Sequence, residues 1–526
     1  MSPVTVVIFV YLMVQIRTSM CLTQVEIGCP IYMSTAGGNG ALAFHGPAFE
    51  TAVKECNRMY TGVINITLTF IVSATFEETF DNFANDISRW YLSQRRSSDI
   101  AAVISPGSMD PTPVHQLTSH WNIICLSTMR ASPSAFKLRP ATTMIASTFV
   151  SIPSIVGIIS NLLWSHRWIT VFLVVDRRSV PAYITIAEEL ERVNTGKARF
   201  LKRYIQAKEL ASFDEFLREF KRESRVMIFL GRENFIRRLM VDAAALNMTN
   251  GEFVYLCDGS FPNSRTYGDL QWRIPGEDAV NQMAREAFRS LLLVHPYETT
   301  DIPAALKKSE LVNSFRLQAK QRYNVNMADQ VLPEILSSYV NIFMFAQILN
   351  ETLVTFGEAR LHDGQWLSER FLKRAFIAPG GLTDIYVDEN GFRQAPLAIS
   401  YFEGKNSTRE VVFIRSHEYG PNLWEVRNIS ATWPGAMWPP VNEPLCGYTG
   451  MKEVCRESAG FLRNGGLIGL LTTISIAAVL AMIAWTVRSY LSVNKSRTMN
   501  WRLDGQELAF PGKQSFTTFS TAMSQR

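Results

Sequence analysis

Along most of the chain, short apolar runs that read as buried strands alternate with stretches whose apolar positions recur at helical spacing. This is the pattern of parallel βαβ units. Residues 25–32 make the first run. From about His45, the residues Phe49, Ala52, Val53, Cys56 and Tyr60 then fall on one face of a helix. Segments 65–72, 100–104 and 122–126 read as further strands of the same sheet. A second set begins near Thr148, where Ile152, Ile155, Ile158 and Ile159 mark a helix before the β-branched strand 170–175. It continues through a helix around Leu210, Phe213, Leu217 and Phe220, a strand at 226–230, a helix at 233–246 and a strand at 252–256. The predicted architecture is α/β, with two doubly wound lobes.

The helix at 333–353, apolar at Leu336, Ile342, Phe343, Ala346 and Leu349, is expected to return to the first lobe, so each lobe is discontinuous. Lobe 1 is assigned about 24–145 and 286–375, and lobe 2 about 146–285 and 376–430. From Thr383 the pattern changes: 385–387 runs into an Asn390-Gly391 hairpin turn, and 397–402 and 411–414 follow as a small antiparallel module. Pro434, Pro439 and Pro440 predict an extended juxtamembrane stalk over 431–464.

Residues 467–487 contain no charge and are long enough as a helix to cross the roughly 30 Å core of a bilayer. The tail at 488–526 carries Arg488, Lys495, Arg497, Arg502 and Lys513, which predicts a cytoplasmic tail and a large extracellular portion. At the other end, the apolar run 4–14 is too short to span and precedes Arg17, Thr18, Ser19 and Met20. Residues 1–20 are therefore read as a signal peptide, which predicts a single-pass type I plasma-membrane protein. Five Asn-x-Ser/Thr sequons precede the span, at Asn65, Asn247, Asn350, Asn406 and Asn428, and are candidate glycosylation sites. A sixth, Asn494, falls on the predicted cytoplasmic side and is expected to be unmodified.

A hydrophobic fraction of 47% over 526 residues supplies more apolar area than one compact core needs. The net charge of +5 is small at this length and no basic run interleaves with aromatics, which argues against a nucleic-acid partner. The 7 cysteines are too few for a disulfide scaffold and show no metal-ligand spacing. Cys446 and Cys455 close a short loop just before the span, where a local disulfide is expected. Cys29, Cys56 and Cys125 are either buried thiols or include one bonded pair.

Gly46-Pro47-Ala48, Ser105-Pro106-Gly107, Ser119-His120-Trp121 with 123–126, Trp168 leading into 171–174, and 225–229 form a set of stretches along the ectodomain. Together they resemble the ligand-binding region shared by natriuretic peptide receptors and receptor guanylyl cyclases. The juxtamembrane pattern is similar too: Trp433-Pro434, Pro439-Pro440, then Cys446-Gly447 and Cys455 shortly before the membrane helix. The resemblance implies a type I periplasmic-binding-protein-like fold. Asn500-Trp501-Arg502 resembles the element with which receptor cyclases enter their kinase-homology domain, yet no kinase or cyclase signature follows. The expectation is a receptor ectodomain with its anchor and without enzymatic machinery. The family carries Cys where this chain has Ser108, so its first-lobe disulfide is expected to be absent. Gly107 and Ser108 are the candidates for a structural chloride ion, and no other cofactor is implied.

Ser105, Ser127 and Thr128 follow predicted strands, where open α/β sheets place ligand-binding groups. The competing reading of these hydroxyls is turn capping. Gly38-x-Gly40-x-x-Ala43 imitates a dinucleotide fingerprint, but no acid ends strand 65–72 to hold a ribose, so it reads as a loop at the mouth of the interlobe cleft. His115 and His120 have no acidic partner pattern for metal binding or acid/base work. The functional expectation is a membrane receptor for an extracellular peptide or small-molecule ligand, acting as a homodimer or as a heterodimer with a related receptor. The alternatives are an amino-acid-type receptor with its ligand in one cleft, or a clearance or decoy receptor.

Overall fold

The computed structural model describes residues 22–35, 40–95, 99–105, 112–128, 143–148, 150–179, 181–260, 270–297, 302–327, 332–382, 385–403, 409–416, 423–436 and 438–498. It divides into two units, Met1–Thr449 and Gly450–Arg526.

The first lobe is built on a parallel sheet of β1 (Thr23–Tyr32), β2 (Ile64–Ser73), β3 (Ile100–Ser105), β4 (Ile124–Ser127) and β5 (Met144–Ala146), in the order β2-β1-β3-β4-β5. Val25, Ile27, Cys29 and Ile31 of β1 face the helix Leu42–Met59 and the returning helix Leu332–Phe356, whose Ile335, Tyr339, Ile342 and Ala346 join the same core. On the other face, a Cβ on Gly28 would lie 2.7 Å from the ring of Trp90, so only glycine admits this fully buried indole. Trp90 Nε1 donates to Glu26 Oε1 at 3.0 Å.

The chain then builds the second lobe with β6 (Thr170–Asp176), β7 (Arg199–Ile205), β8 (Val226–Leu230), β9 (Val254–Asp258) and β10 (Leu291–Pro296). It returns to the first lobe through the helices Ile302–Tyr323 and Leu332–Phe356 and a three-stranded sheet of β11 (Arg374–Phe376), β12 (Ile385–Val387) and β13 (Arg393–Gln394). It crosses again to add β14 (Leu397–Phe402) antiparallel to β10, then β15 (Arg409–Arg415) antiparallel to β14 and β16 (Trp424–Glu425) antiparallel to β15, which completes an eight-stranded sheet.

Three sequence expectations change. Strand β10 pairs in register with β9, so 286–297 belongs to the second lobe and the return crossing follows it. The antiparallel module splits: Phe376, Ile385 and Val387 are in the first core, whereas β14 and β15 extend the second sheet. In both cases an apolar run shows that a strand is buried but not which sheet supplies its hydrogen-bond partner. The third change concerns the expected stalk, because residues 433–448 pack on the second lobe. Trp433 is buried in that lobe's core, Trp168 Nε1 donates to Pro440 O at 2.8 Å, and Asn442 Oδ1 accepts from Ile169 and Thr170 N–H at 2.8 and 2.9 Å. Tyr448 OH donates to Asn442 O at 2.9 Å. The large apolar faces of Trp433 and Trp438 favour burial over the extended, solvated form that proline alone predicts.

His166 sits inside this aromatic cluster, stacked on Trp168 at 4.8 Å and edge-on to Trp438 at 5.2 Å and Phe413 at 5.6 Å. Burial holds its imidazole below the ordinary His range, against the opposing pull of its Leu162 carbonyl contact and of Glu425. The unfolded chain therefore binds the proton more readily than the folded one. Stability from neutral His166 is present above about pH 6.5 and declines as pH falls toward the depressed folded value. Thermal melts between pH 7 and pH 5 are expected to show a loss that His166→Phe reduces; equal pH dependence in both proteins would contradict this.

Cys446 and Cys455 are disulfide-bonded, and Cys29, Cys56, Cys125 and Cys257 are buried free thiols. Burial pushes the Cys56 and Cys125 thiols up to about 12, which makes them poor nucleophiles.

Among the described residues, the second unit is a helix, Glu453–Thr498, preceded by residues 450–452. Its segment Gly469–Lys495 has the 27 residues and the apolar composition of a membrane span, about 40 Å of helix, with every side chain exposed.

Candidate functional site

The carboxyl ends of parallel strands are where open α/β sheets gather ligands. In the first lobe, Ser105 and Ser127 end β3 and β4 as direct neighbours in register. Thr128 N–H donates to Ser105 O at 3.1 Å, and Ser147 N–H donates to Ser127 O at 2.9 Å. The three candidates thus meet in one row, joined by Ser147, but all four residues are buried. These are backbone bonds between strand ends; among the hydroxyls, Thr128 Oγ1 donates to Ser105 O at 3.5 Å and Ser147 Oγ to Ser127 O at 3.3 Å.

Asn341, on the helix Leu332–Phe356, was not singled out by the sequence. It is fully buried; its Oδ1 accepts from Ser147 Oγ, and its Nδ2 has no hydrogen-bond partner among the described residues. The available signal was Ser337, Ser338 and Asn341 clustered in the otherwise apolar stretch 335–346 of that helix. Ser338 Oγ pairs with buried His45 Nδ1 at 2.7 Å. The first lobe therefore carries buried polar side chains on both its strand ends and its return helix. Each such group must be hydrogen-bonded or costs about 1–3 kcal/mol.

In the second lobe, buried Asp176 ends β6 and buried Asp258 ends β9, and sequence reasoning assigned a role to neither. Asp176 Oδ1 accepts from Arg178 and Ala207 N–H at 3.2 and 3.3 Å, and Asp258 Oδ1 accepts from Ser260 N–H at 3.1 Å. Carboxylates that open a turn this way pre-shape the loops at the sheet edge.

A polar chain links the lobes beside the crossing at 395–396. Asp388, in the β12–β13 hairpin, accepts from Asn390 and Phe392 N–H at 2.9 Å each and from Gln394 Nε2 at 2.6 Å. Gln394 Oε1 in turn receives Arg415 Nη1 from β15 and Ser154 Oγ from the helix Ile152–Ser165, each at 3.5 Å. The Arg415 guanidinium lies across Gly157, where a Cβ would come within 2.8 Å of it. Burial raises the Asp388 carboxyl above its ordinary range, its backbone hydrogen bonds opposing. Burial also lowers Arg415, with the Asp388 charge opposing.

The chloride candidates Gly107 and Ser108, the sequon Asn406 and Gly38 lie outside the described residues. Gly40 N–H donates to Tyr32 OH at 2.9 Å, a structural contact at the first strand's end. Asn247 and Asn428 are exposed, Asn350 is half-buried, and half-buried Asn65 donates to Gln24 Oε1 at 2.8 Å. His115 is buried against Ser119 Oγ at 3.0 Å. Among the described residues no group of three or more His, Cys, Asp or Glu is placed to hold a metal ion.

The family described as "Receptor family ligand binding region" matches residues 45–400, which takes in strands of both lobes and all three crossings between them, with β1 before it and β15 and β16 after it. Atrial natriuretic peptide receptor 2 of Mus musculus is 22% identical over 88% of this chain and 44% of its own length. Atrial natriuretic peptide receptor 3 of Homo sapiens is 24% identical over 73% and 69%, and receptor-type guanylate cyclase gcy-28 of Caenorhabditis elegans is 23% identical over 57% and 22%. The chain spans less than half the length of the first of these relatives. With most of the chain covered by the family and both lobes in place, this protein belongs to the receptor-family ligand-binding-region proteins.

Proposed function

We propose that the chain is a single-pass cell-surface receptor whose two-lobed region, held outside the cell, binds a peptide signal. The observation that carries this reading is a family-matched two-lobed region followed by a 27-residue apolar helix, in a chain similar to receptors named for natriuretic peptides. Ligand binding would bias the angle between the lobes or between paired protomers, in a homodimer or with a related receptor. The second lobe would pass that bias on through residues 433–448 seated on it. A ligand shifts such an equilibrium only by its difference in affinity for the two states. Its output would be that of a clearance or decoy receptor, or would come from acting in concert with a receptor cyclase.

The full-length chain in detergent, screened by thermal shift against extracellular peptides and free amino acids, tests the ligand class. A ligand at 100 times its Kd adds about 2.7 kcal/mol of apparent stability. Shifts with a peptide support the reading, and shifts confined to amino acids overturn it. The second reading, an amino-acid-type receptor, is favoured by one observation, the half-satisfied Asn341 amide beside Ser147 and Ser127. Cells expressing the chain alone should produce no ligand-stimulated cyclic GMP.

Orientation has its own readout. Mass spectrometry after deglycosylation is expected to mark exposed Asn247 and Asn428 as glycan carriers and to leave Asn494 unmodified. Sugar on Asn494 would invert the proposed topology.

A further inference from the structure

Strand β2 is an outer edge of the first sheet, and its register on β1 fixes which of its backbone groups face outward. Thr23 N–H donates to Val63 O and Met33 N–H to Ser73 O, each at 3.0 Å, so the odd-numbered residues of β2 bond to β1. The N–H and C=O groups of its even-numbered residues point away from the sheet. At the start of the strand these are already taken. Ile64 N–H donates to Tyr60 O at 3.1 Å, and the Asn57 side chain clasps Ile66, its Oδ1 accepting from Ile66 N–H at 2.7 Å and its Nδ2 donating to Ile66 O at 2.9 Å. Past the far end, Ala74 N–H donates to Glu78 Oε2 at 2.7 Å. Between these caps, Leu68, Phe70 and Val72 keep their outward N–H and C=O groups without a partner among the described residues.

The open window is uncharged. Residues 67–73 read Thr-Leu-Thr-Phe-Ile-Val-Ser, with no proline or glycine to interrupt pairing. Leu68 and Phe70 are only partly covered by the first core, Ile71 only partly by the opposite face, and Val72 is 47% exposed. Among the described strands, the other sheet edge of five or more residues is β7, and it shows how this chain guards an edge: Arg199, Lys202 and Arg203 stand along it. The window in β2 carries no such guard. The sequon residue Asn65 lies before it and turns its amide to Gln24 on β1.

We propose that this window is a homodimer interface, in which β2 pairs antiparallel with β2 of a second copy about a two-fold axis at Phe70. The proposal gives a surface to the paired protomers of the receptor reading and rests on that reading. In this register Phe70 faces the partner's Phe70, and Leu68 faces the partner's Val72. Each such pair exchanges two backbone hydrogen bonds, so every outward group left open between the two caps is used. A register shifted by two residues would set Val72 against capped Ile66, or Leu68 against capped Ala74. On the other face Thr69 meets the partner's Ile71, and no like charges oppose each other anywhere in the window. A second copy is the occupant that fits, because the window is symmetric about Phe70 and holds no charge that would attract a different partner or repel itself. Two copies anchored in one membrane also meet at high effective concentration.

The test is sedimentation of the full-length chain in detergent, where wild type is expected to dimerise. Val72→Lys and Leu68→Glu should each weaken the dimer by at least about tenfold. The double variant Leu68→Glu/Val72→Lys should recover it, because each glutamate then faces a lysine of the other copy. Oxidation should crosslink Phe70→Cys, whose two Cα atoms would lie about 5.5 Å apart. It should not crosslink Val72→Cys, although that position is more exposed, since about 13 Å of strand would separate the two cysteines. Circular dichroism on each variant checks folding. The proposal fails if wild type is monomeric, if the folded double variant stays as weak as the single ones, or if Val72→Cys crosslinks as readily as Phe70→Cys. It also fails if every variant leaves the dimer intact, which would put the pairing elsewhere on the chain. A monomer that still gains stability with a peptide would leave the receptor reading standing, and loss of that gain in Val72→Lys would give the window to the peptide instead of a second copy.

Discussion

Trp433→Ala is expected to lower the stability of the two-lobed unit by about 3–5 kcal/mol, the range for removing a buried indole. Trp433 is 1% exposed, packs on Trp438 at 4.6 Å and Tyr401 at 5.8 Å, and its Nε1 donates to Gly251 O at 3.0 Å. The substitution loses the packing and also strips a buried carbonyl of its donor. Gly251→Ala attacks the same contact from the other side. Gly251 adopts φ 101°, and a Cβ there would fall 1.9 Å from Pro434 O, so the returning segment must move. Both variants should melt several degrees lower than wild type, and both should expose residues 433–448 to proteolysis. Wild-type melting in both would mean that this segment is a free stalk, as its prolines alone suggest.

Gly157→Leu is expected to cost about 1–3 kcal/mol through overpacking against the Arg415 guanidinium. The displaced arginine would leave Gln394 and weaken the chain from Asp388 in the first lobe to Arg415 in the second. Arg415→Met keeps the length and removes the charge, so it leaves Asp388 buried without the opposing cation. That variant should change ligand affinity or small-angle scattering more than melting, because it acts on the join between lobes and not on either core. Scattering and affinity unchanged in both variants would show that the lobe angle does not depend on this chain of contacts.

The site was only partly legible in advance. Ser105, Ser127 and Thr128 were found because a strand's end can be read from where its apolar run stops, and the register then brought them together. Asn341, Asp176 and Asp258 were missed, because single polar residues beside apolar runs look alike whether they cap a turn or line a site.

Strands β1 to β4, β6, β8 and β9, the helices Leu42–Met59, Ile152–Ser165, Asp214–Glu223 and Ile236–Ala245, and the membrane-length helix follow from hydrophobic period, since burial on one face or two leaves a direct mark on local sequence. Strand β7, with its sequence Arg-Phe-Leu-Lys-Arg-Tyr-Ile, left no such mark, because a sheet edge tolerates charge and half-exposure. Which sheet receives β10, where the antiparallel strands divide, and whether residues 433–448 hang free or seat on the second lobe were decided only in three dimensions. Those outcomes depend on hydrogen bonds and aromatic contacts between residues far apart in the chain, as between Gly251 and Trp433. No local pattern encodes them.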